Sequence, residues 1–181
     1  QANFGEDLIF GPRGGTLFYW DASATNSLSV RGVALSSLSD ASNVPTIQNL
    51  TLVSDISRFV FCFGCNELGS SSLNTMLIRW SDQEDATNWT PSATNQSGDL
   101  ILSNGTNIIA AKQSRQEVLV WTDSALYALQ YVGAPAVWTA QLVGENTSIA
   151  SQNAVAYANG IAYWMGRDKF YMYDGRVKPL R

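Results

Sequence analysis

The sequence contains no histidine, and this absence removes more chemistry than any motif in it supplies. Histidine is the commonest general acid and base, so no Ser-His-Asp triad can be assembled within this chain. Cysteine is nearly absent too. Cys62 and Cys65, in "CFGC", cannot complete a tetrahedral zinc site without carboxylates or another chain. The first lies in the strand-like run "RFVFCFG" with no helical pattern after it, unlike a thioredoxin-type motif. Both are read as buried or loop thiols without chemistry. Charge is scarce as well, at 14% of residues against roughly 25% in average domains. A chain with so few charges buries much of its surface, inside itself or against partners. Its net charge of −4 is spread along the sequence without a Lys/Arg stripe, which argues against a phosphate grip on DNA.

No apolar run of 18 residues occurs, so membrane insertion by this segment is not expected. Neither a G-x-G-x-x-G nor a P-loop spacing is found. The glycines of "GPRGG" (11–15) join two strand-like runs and read as a hairpin loop. Long amphipathic stretches are missing, while Gly, Ser, Thr and Asn abound. That combination predicts an all-β chain rich in turns.

What is present is repetition. "NIIAAKQSRQEVLVWTDSALYALQYV" (107–132) lines up with "NAVAYANGIAYWMGRDKFYMYDGRV" (153–177). Asn107 matches Asn153, Trp121 matches Trp164 and Tyr127 matches Tyr171, at intervals of 46, 43 and 44 residues. Each copy reads strand, short turn, strand, short turn, strand. Weaker copies lie in "TLVSDISRFVFCFG" with "NTMLIRWSD", and in "EDLIF", "GTLFYWDAS" and "SLSVRGVAL". Four units follow, at about 3–40, 47–90, 107–150 and 153–181. Three of them close a strand with "YWDAS", "RWSDQ" or "MYDGR". There Asp and Ser bond their own backbone and Gly takes positive φ.

In "EVLVWT", Val118 and Val120 oppose Leu119 and Trp121. In "IAYWM", Ile161, Tyr163 and Met165 oppose Ala162 and Trp164. Both faces are apolar in each run, whereas a sheet wetted on one side alternates apolar with polar. Links of a few residues are too short for crossover helices, which need roughly ten or more. The strands are therefore antiparallel hairpins packed against copies of themselves. Radial repetition of roughly 40–45-residue units is a β-propeller or an arc of one, of roughly four blades; a β-sandwich is the alternative. Trp20, Trp80, Trp121, Tyr127, Trp164 and Tyr171 are assigned to the core, where such rings each bury roughly 150–250 Å². The whole of 1–181 reads as one such domain. Gln1 in place of Met, and a strand pattern running to the last residues, suggest a piece of a longer chain.

Helical signals are few. Ser81 with Glu84 fits a capping box in "SDQEDATNW", predicting one or two turns, and "SSLSDAS" (36–42) suggests another short turn. Asp82, Glu84, Asp85 and Asp123 could supply a glycosidase carboxylate pair, although their turn positions already account for them. "SDQEDATNW" is similar to the Asp-box of sialidase propellers, but lacks its internal Gly and has a Ser-to-Trp interval one residue longer. Trp89 in "TNWTP" and Trp138 in "GAPAVWT" lie in loop-like settings and are the candidates for stacking on a sugar. Asn-x-Ser/Thr occurs at Asn49, Asn88, Asn95, Asn104 and Asn146, as composition alone would produce. Arg167, Lys169, Arg176, Lys178 and Arg181, five of the eleven bases, fall in the last fifteen residues beside Asp168 and Asp174. No catalytic, cofactor or metal residue is assigned.

The words "RWSDQE", "PSATNQSGDL", "RQEVLVWTDSALYALQYVGAP", "NAVAYANGIAYWMG" and "FYMYDGRV" occur in order over roughly 77–178. This span resembles the tail nozzle, or tail tubular protein B, family of short-tailed phages. "DLIFGPRGGTLFYWDAS" extends the similarity toward the N-terminus. The resemblance implies a non-enzymatic virion protein built on a β-propeller. It also implies a ring of copies, six in that family, at the distal end of the tail tube. Such a ring docks on an adaptor, helps seat fibres and surrounds passing DNA without specific binding. The family's proteins are much longer than this chain. The alternative is a carbohydrate-binding propeller for host-surface recognition.

Overall fold

The computed structural model describes residues 1–23 and 29–181. The start of the strand-like run "SLSVRGVAL" lies outside the described residues. The chain is all-β, with four four-stranded antiparallel sheets, each with its strands in sequence order. It divides into two compact units, Gln1–Ile101 and Leu102–Arg181.

In the first unit, β1 (Ala2–Phe4), β2 (Asp7–Phe10), β3 (Phe18–Trp20) and β4 (Val33–Ala34) form one meander. A single turn of 3-10 helix, Leu35–Ser37, follows. The second meander comprises β5 (Gln48–Val53), β6 (Val60–Asn66), β7 (Leu73–Trp80) and β8 (Gly98–Ile101), so it extends beyond residue 90. The two sheets share one core. Ile9, Leu17 and Leu35 pack with Val60, Cys62, Cys65, Leu77 and Trp89. Every residue of β6 is buried. Three residues apart on a regular strand, Cys62 and Cys65 would point to opposite faces. Between Phe63 and Cys65 the register shifts at Gly64, whose φ of 66° suits glycine. The extra residue turns Cys65 onto the face of Cys62, and both thiols enter the core.

In the second unit, β9 (Ile108–Gln113), β10 (Val118–Thr122), β11 (Ala125–Gly133) and β12 (Val137–Glu145) form the third meander. β13 (Val155–Ala158), β14 (Ile161–Met165), β15 (Phe170–Tyr173) and β16 (Val177–Pro179) form the fourth. Ala110, Leu119, Trp121, Leu126 and Ala128 pack against Ala162, Trp164 and Tyr171. Small residues make room for the rings: Ala110 pairs with Trp121 across β9 and β10. Trp164 stacks on Tyr171 with centroids 5.4 Å apart. Each unit is thus two blade-like meanders packed on a shared core, aliphatic with Trp89 in the first unit and built around the Trp121, Trp164 and Tyr171 rings in the second.

Two expectations about faces need correction. β10 is buried on both sides, as its sequence predicts. β14 is not: Ala162 and Trp164 are buried, but Tyr163 is 38% and Met165 45% exposed. The outer side of the fourth sheet is apolar and open. The repeat alignment also slips by one residue. Trp164 pairs with Tyr171, whereas Trp121 pairs with Leu126. Tyr127 is buried on the opposite face of β11, its hydroxyl accepting the Asn104 N–H at 2.9 Å.

Candidate functional site

Of the aromatic residues assigned to the core, Trp121, Trp164 and Tyr171 meet in the second unit's wedge. Trp80 is buried beside Phe61, centroids 6.0 Å apart, and donates its indole N–H to Gln96 O at 2.9 Å. Trp20 departs from the expectation: it is only half-buried at the end of β3, its indole N–H donating to Val30 O at 3.0 Å.

Trp89 and Trp138 are not available to stack on a sugar. Trp89 is 1% exposed and Trp138 2%. The Trp89 indole N–H donates to Ala86 O at 2.8 Å, and its ring lies against the Arg79 guanidinium, 5.9 Å from ring centre to charge. Trp138 packs against Tyr131 with centroids 5.5 Å apart. Both side chains occupy packed interior rather than loop surface.

The segment expected to hold a helical turn is a tight loop instead. Ser81 Oγ accepts the Val60 N–H at 3.0 Å and donates to Asp82 O, so it serves β6 rather than a helix start. Glu84 adopts φ of 58°, a left-handed conformation that breaks a helix. Asp82 and Asp85 bridge across the loop. The acidic side chains are engaged in this framework. Asp82 Oδ1 accepts the N–H groups of Gln83 and Gln96, both at 2.8 Å. Asp85 Oδ1 accepts the Thr87 N–H and hydroxyl at 2.8 and 2.7 Å. Glu84 forms an exposed ion pair with Arg58 at 3.3 Å.

Asp123 closes the β10–β11 turn onto Thr106, accepting its N–H at 2.8 Å and its hydroxyl. Burial pushes the Asp123 carboxyl up, but the hydrogen bonds from Thr106 and neighbouring amides outweigh it and hold the group below the usual carboxylate range. Among the described residues, no group of three or more Cys, Asp or Glu side chains converges as metal ligands would. Burial pushes the thiols of Cys62 and Cys65 up, the latter to about 12, so both are held as neutral thiols.

Two features escaped the sequence. One is a cleft of about 580 Å³ at an end of the second unit, lined by Glu117, Gln130, Tyr131, Tyr157, Tyr173 and Asp174 among others. Glu117 accepts hydrogen bonds at 3.4 Å from the Tyr173 hydroxyl and the Gln130 amide. Burial, then the charge of Glu117, pushes the Tyr173 phenol up to about 12. These residues come from three strands and two turns, so no local motif announced them. The other is the outer side of the fourth sheet. Tyr163 sits across from Met172, and Met165 across from Phe170, which is 57% exposed. Here the sequence showed the apolar residues, but not that they are open.

No protein-family model matches the sequence, and no curated protein matches it.

Proposed function

We propose that the chain is a non-enzymatic structural component of a short-tailed phage tail, positioned at the nozzle and assembled in a ring of copies around the DNA exit channel. The carrying observation is the ordered series of matching words over roughly 77–178. Supporting it, the aromatic residues build scaffold, and the acidic turns bind their own loops.

The ring needs an adhesive surface, and we assign this role to the outer side of the fourth sheet, with a second copy of the chain as its occupant. Tyr163, Met165 and Phe170 supply exposed apolar area. Charge favours a copy as the partner. Residues 167–181 hold five bases against two acids, while the rest of the chain holds six bases against thirteen acids. A basic rim set against an acidic body steers copies head to tail. Adaptor and fibre proteins are the further partners this reading implies, and an acidic chain beside DNA does not hold it in passage.

The test is an antibody against this chain applied to purified virions whose genome encodes it. Labelling at the distal tail tip supports the reading. Virions without the protein, or a label on the capsid, would refute it.

A second reading is carbohydrate binding, favoured by the cleft with Tyr131, Tyr157 and Tyr173 beside Glu117 and Gln130. Aromatic rings flanked by a carboxylate and an amide suit sugar faces and hydroxyls. A glycan array checks it. Binding lost in Tyr157→Ala and Gln130→Ala would favour this reading, and a blank array would remove it.

A further inference from the structure

A buried cation in the first unit lacks a counter-charge. Arg79 is 2% exposed. Its guanidinium donates to three backbone carbonyls: Asn43 O at 2.6 Å, Asn66 O at 3.2 Å and Trp89 O at 3.5 Å. Among the described residues, no carboxylate lies within ion-pair distance of it. Its neighbour across the β7–β8 register is Asp99, an exposed residue that makes no such pair. Removing a charge from water is costly unless another charge or strong dipoles replace the solvent. Carbonyl dipoles and the face of the Trp89 indole, 5.9 Å from the guanidinium, supply part of that compensation.

Arg79 also lines a cavity of about 270 Å³. Its other walls include Ser36, Asn43, Thr46, Asn66 and Ser70, all neutral, and no acidic side chain contributes. An anion entering would meet a guanidinium, hydroxyls and the apolar side chains of Val44 and Leu68, without a repelling carboxylate at the wall. The volume exceeds what a bare ion needs, since water takes roughly 30 Å³ per molecule. It suits a charged head on a short carbon stem. With both Nη2 hydrogens on Asn43 O and Trp89 O and one Nη1 hydrogen on Asn66 O, the remaining Nη1 N–H can give a carboxylate oxygen one charge-assisted hydrogen bond.

We propose that this cavity is a carboxylate-binding site, with Arg79 as the charge that receives the ligand and the hydroxyls of Ser36, Thr46 and Ser70 at its mouth. The ligand is a small organic acid or the carboxylate of a docking polypeptide, and both present the same chemistry. The inference is independent of the phage-tail reading, because it rests on Arg79 and its cavity alone.

The experiment is an NMR titration of the full ¹⁵N-labelled chain with sodium acetate, against sodium chloride at equal ionic strength. A pentapeptide with a free C-terminal carboxylate and its amidated twin form two further arms. The amides of Asn43, Asn66, Gly69 and Ser70 should shift saturably with acetate and with the free-acid peptide, and not with chloride or the amidated peptide. Saturation by the free-acid peptide at lower concentration than acetate would assign a polypeptide source, and the reverse a small acid.

Ser36→Glu leaves Arg79 in place and brings a carboxylate of the chain's own to the cavity wall. It should weaken the acetate response about tenfold, roughly the effect of one charge-assisted hydrogen bond. Equal shifts with chloride, absence of saturable shifts, or an unchanged response in Ser36→Glu would each overturn the proposal. Arg79→Lys should bind at least as weakly, because an ammonium that keeps the three carbonyl bonds has no N–H left for the ligand.

Discussion

The Trp121 indole meets the Trp164 indole edge to face, with ring centroids 5.4 Å apart and planes at 67°. The two rings come from different sheets, and this contact joins the halves of the second unit. Edge-to-face geometry sets the positive rim of one ring against the negative face of the other. Trp121→Ala and Trp164→Ala should each cost about 3–5 kcal/mol in denaturant unfolding, because each leaves a cavity in a closed core. The double variant should cost less than the two together by about 0.5–1.5 kcal/mol, their mutual contact. Losses below about 1 kcal/mol would place the rings outside the load path of the fold.

Gly98 is held by a neighbour rather than by its own backbone. A Cβ there would lie 2.7 Å from the Trp80 ring, which itself is fixed by its bond to Gln96 O. Gly98→Ala should therefore destabilise by about 1–3 kcal/mol, the usual cost of overpacking. Trp80→Phe in the same chain should recover part of that loss. Thermal unfolding of the three variants checks the coupling.

The pH dependence has a definite sign at Asp123. Its carboxyl sits below the ordinary range when folded, with burial opposed and outweighed by bonds from Thr106 and neighbouring amides. The stability it contributes is fully present above the unfolded-state pKa of a carboxylate, near 3.9. It is lost as pH falls through the lower folded-state value. Asp123→Asn should flatten the acid limb of a stability-against-pH curve while leaving its neutral-to-basic course unchanged. An unaltered acid limb would contradict the assignment.

Cys62 and Cys65 share the first unit's core, and burial keeps both as neutral thiols. Thiol reagents at pH 8 should modify neither in the native chain and both in denaturant. Rapid native labelling would mean that β6 opens easily, against its complete burial.

The sequence exposed the strands more clearly than their faces. The hairpins at "VLVWTDSALYAL" and "IAYWMGRDKFYMY" were legible because their turns are short and local. The partner of Trp121 was not, since a one-residue slip exchanges Leu126 for Tyr127 and reverses which side is inside. The absence of a helical turn at 81–85 depends on Val60, whose N–H claims Ser81 Oγ from 21 positions away. Trp89 does lie in a loop, but its burial was not legible, since the core that encloses it is drawn from residues as far off as Ile9, Leu17 and Leu35. The open side of β14 could not be read at all. An apolar face carries the same letters whether a sheet or water lies against it.

Oxidative footprinting of Tyr163, Met165 and Phe170, in the isolated chain and in purified tails of the virion proposed to carry it, tests the central claim most directly. The account predicts strong labelling of all three in the free chain and protection in the assembled tail. Equal labelling in both states, or tails that lack the protein, would contradict it.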